Sequence, residues 1–128
     1  MGIMRVTAIV RNPADLDRAW EGTFLVDTGA IDCVVPRKHL EAIGLVPLDS
    51  RVYGLADGSD IRMDVTAGVI EFMGGRTGKD VIMAEDESAE PLLGVTVLES
   101  LGIEIDARNE RLTKLPFTRL RMMGITGL

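Results

Sequence analysis

The sequence predicts a mainly-β domain, a small closed barrel carrying one or two short helices. Three observations carry that reading: many short runs of alternating apolar and polar residues between turn residues, only two segments with helical spacing, and no alternation of strands with long helices. With 128 residues the chain has the commonest single-domain size, and 46% apolar with 27% charged residues is a globular composition, so one core is expected. Residues 1–116 are assigned to that domain and 117–128 to a tail, either an interface strand or a flexible end.

The elements follow in order. Met4, Val6, Ala8 and Val10 alternate with Arg5, Thr7, Ile9 and Arg11, which makes residues 3–11 a strand. Asn12-Pro13 opens a polar connection to about Gly22, from which Trp20 folds back onto the core, and TFLVD at 23–27 completes a hairpin. IDCVV is β-rich again. Pro36 and Gly44 then bracket RKHLEAI, giving a helix over 37–43. Residues 51–56 and 61–67 form a second hairpin around Asp57-Gly58-Ser59-Asp60. Extended chain continues through Phe72, turns over Gly74 to Gly78, and returns at 80–84. Glu85 to Pro91 is an acidic surface loop. PLLG leads into VTVLESL, a helix with Val95, Leu98 and Leu101 on one face and Gly102 after it, and IEID with RLTKLP forms the last hairpin.

Composition also excludes functions. Fourteen basic against twenty acidic residues give a net charge of -6, so the field that draws proteins to nucleic acid is missing. No apolar run reaches the roughly 18 residues that span a bilayer, and the N-terminus shows neither a signal peptide nor, with Val6 where Ser or Thr is needed, a myristoylation motif. A cytoplasmic protein without membrane or nucleic-acid partners is expected.

Cys33 and His39 are the only residues of their kinds, which removes intrachain disulfides, Cys/His zinc clusters and any imidazole relay not built on His39. Cys33 is expected as a small buried hydrophobe, and His39 as a solvated residue of the first helix. The methionines are expected as core filler, with Met122-Met123 in the tail as an exception that could belong to a binding surface. Asp57 and Asp60 lack the run of spaced oxygen ligands that calcium needs. No metal or other cofactor is expected, and the carboxylates remain as the chemical groups of interest.

Asp27 ends the apolar run Phe24-Leu25-Val26, where burial penalises its charged form unless something pairs with it. Alone, Asp-Thr-Gly reads as an Asx turn. Three elements occur together, however: LVDTGA at 25–30, LADGS at 55–59, and PLLG at 91–94 leading into VTVLESLGIEID. With these, over residues 3–116, the chain resembles the retropepsin-like aspartic proteases of the retroviral type, particularly their compact bacterial and archaeal relatives.

That resemblance implies a closed barrel with a flap hairpin, and an endopeptidase that needs no cofactor. It implies a homodimer acting on a polypeptide substrate, with Asp27, Thr28 and Gly29 of each chain meeting at a two-fold axis. Ala30, Ile31 and Asp32 would line the substrate site, Ala56, Asp57, Gly58 and Ser59 would be the flap tip, and Gly94 would pass close to the Asp27 loop. Two positions depart from the retroviral pattern: Ile31 stands where the first of two consecutive acids is found, and Val95 where an arginine is found. Those residues bind each other in the family, so their joint loss leaves no unpaired charge. The alternative is a non-proteolytic peptide-binding or dimerisation module on the same fold.

Overall fold

The computed structural model describes residues 3–116, and the tail assigned to 117–128 lies outside the described residues. Strand β1 (Arg5–Asn12) pairs antiparallel with β2 (Asp15–Asp27), in register from Arg5 opposite Leu25 to Arg11 opposite Ala19. The polar connection expected up to Gly22 is therefore strand, and only Pro13 and Ala14 turn. Most of the first half of β2 is exposed, so hydrogen bonding to β1 fixes it and hydrophobic alternation carries no signal there.

Strand β3 (Cys33–Pro36) runs into helix α1 (Arg37–Ala42), after which Gly44 takes a left-handed φ of 85°. Strand β4 (Asp49–Gly54) and the 13-residue β5 (Asp60–Phe72) form the second hairpin, and β6 (Gly75–Ala84) returns along β5. The turn expected over Gly74 to Gly78 takes only Met73 and Gly74, at φ 50° and 79°, between paired Phe72 and Gly75. Two positive-φ residues between paired strands match strand twist, so the remaining residues stay in β6. Strand β7 (Leu92–Gly94), helix α2 (Val95–Ser100) and the hairpin β8 (Ile103–Asp106) and β9 (Arg111–Lys114) complete the described chain.

Pairing runs β1-β2-β7-β3-β6-β5, and β5 pairs with β1 again through Val10 opposite Ile70, so six strands close on themselves. That is the small closed barrel the sequence predicts, with β4 left as an edge. Across the closing seam Arg11 forks onto Glu71 at 3.1 and 3.3 Å. Val10, Phe24, Val35, Leu40, Ile70, Val81, Met83, Leu93 and Val97 are fully buried in one core. Each such side chain contributes about 1.5–3 kcal/mol relative to exposure.

Helix α2 and His39 depart from their expected placement. Helix α2 buries Val97 and Leu98 most deeply, with Val95 and Leu101 only half-buried, so its inward face is rotated from the expected one. His39 is half-buried, not solvated: its ring stacks on Trp20 at 4.3 Å between centroids. Trp20 does reach the core, tilted against Phe24, and lies over Gly22, where a Cβ would meet its ring at 2.3 Å.

Candidate active site

Parallel pairing of β2 with β7 sets Leu25 opposite Leu92, Val26 opposite Leu93 and Asp27 opposite Gly94. The apolar ladder is anchored by fully buried Leu93, so the strand ends deliver a carboxylate and a glycine side by side. Beyond Asp27 the chain turns: Gly29 N–H donates to Asp27 Oδ1 at 2.9 Å and Ala30 N–H to the Asp27 carbonyl at 3.1 Å. This is the Asx turn that the tripeptide suggests. It occupies one carboxylate oxygen, and among the described residues Oδ2 accepts no hydrogen bond.

The first turn of α2 clasps this loop. Val95 N–H donates to the Ala30 carbonyl at 2.9 Å, and the Thr96 hydroxyl donates to the Ile31 carbonyl at 2.8 Å. A Cβ on Gly94 would lie 2.4 Å from the Ile31 oxygen and 2.6 Å from the Asp32 oxygen. With φ at -76°, Gly94 is required by this close approach and not by its own backbone conformation. A Cβ on Gly29 would crowd Asp27 Oδ1 at 3.3 Å. In the sequence, Thr96 is marked only by its place two residues after Gly94.

Asp27 is half-buried, Thr28 and Gly29 are exposed, Ala30 and Asp32 are half-buried, and Ile31 is 68% exposed. The Asp-Thr-Gly segment and an apolar neighbour thus face out of the fold. At the β4–β5 hairpin tip, Ala56, Asp57, Gly58 and Ser59 are all exposed. Leu55 N–H donates to the Ser59 carbonyl at 2.7 Å, and Gly58 sits at φ 87° with nothing within 4 Å of a Cβ built on it. Hydrogen bonds from the Ser59 hydroxyl and N–H hold the Asp57 carboxyl below its usual range. Among the described residues no hydrogen bond joins this tip to the Asp27 loop.

Other chemistry is poorly served. Cys33 is buried, and desolvation pushes its thiol up to about 11. Among the described residues no group of three or more His, Cys, Asp or Glu side chains could hold a metal ion, and no helix is long and apolar enough to cross a membrane. At the end of β2 the chain presents a backbone-oriented carboxylate, Asp27, on an open face.

No protein-family model and no curated protein matches the sequence. Solved structures do. The protein is similar to the EIAV protease complexed with an inhibitor (18% identity, TM-score 0.57, covering 79% of this chain and 89% of that one). It is similar to a retroviral protease-like domain from Leishmania major (16% identity, TM-score 0.57, 91% of each chain). It is also similar to a retropepsin-like aspartic protease from Rickettsia conorii (19% identity, TM-score 0.54, 82% of this chain and 77% of that one). The chain has the retropepsin-like fold.

Proposed function

We propose that the protein is an aspartic endopeptidase that hydrolyses peptide bonds with two Asp27 side chains, one from each subunit of a homodimer. The observation that carries this reading is the Asp27 loop itself: a carboxylate oriented by Gly29 N–H, clasped by α2, and exposed beside Thr28 and Gly29. The retropepsin-like fold supports it.

The chemistry needs a base and an acid. Two carboxylates at contact distance share one proton, because both cannot ionise cheaply. The ionised member takes a proton from water as the water oxygen attacks the scissile carbonyl carbon, while the protonated member donates to the carbonyl oxygen. Collapse of the tetrahedral intermediate returns the carbonyl and delivers a proton to the leaving amine, which regenerates the pair. These residues carry one Asp-Thr-Gly, and a second copy related by a two-fold axis would present Asp27 to its own twin and complete the site. Thr28 braces the partner loop across that axis. Ala30, Ile31 and Asp32 line the peptide groove. Ala56 to Ser59 close over the substrate as a flap, for which a turn with few core contacts is suited. We place the enzyme in the cytoplasm.

Incubation with an unfolded protein mixture between acidic and neutral pH tests the reading. Cleavage that persists with a chelator and a thiol reagent and disappears in Asp27→Asn supports it. Chelator-sensitive cleavage, or equal cleavage by the Asn variant, refutes it. Peptide binding without cleavage would favour the non-proteolytic module, which the loss of the acid at position 31 and of the arginine at 95 makes the second reading.

A further inference from the structure

A cleft of about 530 Å³ lies between Asp32, the Thr96 turn of α2 and the β5–β6 ribbon. That volume falls in the range of about 300–1,000 Å³ typical of ligand sites. On the ribbon, Gly68 stands opposite Lys79 and Ala67 opposite Asp80, and all four line the cleft. Thr96 ties the cleft to the candidate active site through its hydrogen bond to the Ile31 carbonyl.

Its charges are unusual for this molecule. Other half-buried charged side chains have side-chain partners, Arg11 with Glu71, Arg37 with Asp64, Arg51 with Asp80 and Asp106 with Asn109, while Asp27 has Gly29 N–H on one oxygen only. Asp32 and Lys79 are also half-buried and both line the cleft, yet among the described residues neither makes an ion pair or a side-chain hydrogen bond. They do not pair with each other either. Unpaired charges lining a cleft are free to bind a ligand group of complementary charge.

We propose that this cleft is a charge-reading subsite that seats two oppositely charged side chains of one extended peptide, a cation at Asp32 and an anion at Lys79. The proposal rests on the reading that the protein binds polypeptides in the groove beside Asp27. Asp32 belongs both to the proposed peptide groove and to the cleft wall, so the subsite would continue that groove past Asp32 on the side of Thr96. Binding there is uniform between ground and transition state, and it acts on KM and not on kcat.

The test is equilibrium binding of labelled peptides to full-length Asp27→Asn protein, read by fluorescence anisotropy. Four peptide sets share one sequence and carry Lys and Glu, Lys only, Glu only, or neither, with the two positions one to four residues apart. At the best spacing each charge should tighten binding by about three- to fivefold relative to the neutral peptide. Asp32→Asn should erase the Lys increment alone, and Lys79→Gln the Glu increment alone. The peptide series on the Asp27→Asn protein stands without those variants should either fail to fold. Binding indifferent to peptide charge, no binding at all, or an increment that survives its own substitution overturns the proposal. Charge-dependent binding with no hydrolysis by the wild-type protein would refute the catalytic reading and leave the subsite; hydrolysis without charge dependence would do the reverse.

Discussion

Gly94 passes so close to Ile31 that any side chain at 94 would enter the space of the Ile31 carbonyl oxygen, 2.4 Å from the position of a Cβ. That oxygen is also the acceptor for Thr96, so the loop carrying Asp27 cannot move without breaking its clasp. Gly94→Ala is expected to cost about 1–3 kcal/mol in urea denaturation, as overpacking of a rigid site does. Wild-type stability in that variant would show that the loop is not wedged against β7.

The stack of His39 on Trp20 gives a pH-dependent signal. Burial, and then the nearby Lys38 charge, depress the imidazole below its ordinary value of 6.5, partly opposed by Glu87. Folding therefore favours the neutral ring. Its stabilising contribution is present above the ordinary histidine range and is lost as pH falls below 6.5 and through the depressed value. Trp20 is the only tryptophan, and its fluorescence should step with a midpoint below pH 6.5. His39→Phe should abolish the step, and a midpoint at or above 6.5 would contradict the stacked geometry.

Cys33 offers a probe of the core. Its thiol is shielded by burial and raised to about 11, so a disulfide-exchange reagent at pH 8 should label it only as fast as the protein opens. Because the folded value lies above the unfolded one, the protonated thiol supports the fold below about 9, and that support is lost as pH rises towards about 11. Rapid labelling of the native protein would contradict the placement of β3 in the core.

Hydrophobic pattern made β1, the β4–β5 hairpin, both helices and the last hairpin legible, because those segments alternate or carry end signals such as Gly44 and Gly102. Asp27 and Gly94 were legible only through the joint resemblance of LVDTGA, LADGS and PLLG to the retropepsin-like proteases, since a carboxylate ending an apolar run reads alone as an Asx turn. Exposed pairing left no such mark: the first half of β2 and Gly75 to Gly78 are strands held by backbone bonds to neighbours, with little buried face to pattern them. The His39–Trp20 stack, the Thr96 clasp and the Asp32–Lys79 cleft depend on contacts between residues distant in sequence, which no local spacing encodes.

The central claim, one catalytic pair made from two chains, is tested most directly by subunit mixing. Wild-type protein is mixed with increasing Asp27→Asn protein, exchange is verified by mass-tagged dimers, and hydrolysis of an unfolded substrate is measured. Mixed dimers hold one titratable carboxylate, so activity per wild-type chain should fall with the fraction of wild-type chains, reaching about one half at equal amounts by the random pairing of a two-fold dimer. Activity that stays proportional to wild-type chains despite demonstrated exchange, or an active monomer in sedimentation, would contradict the shared site.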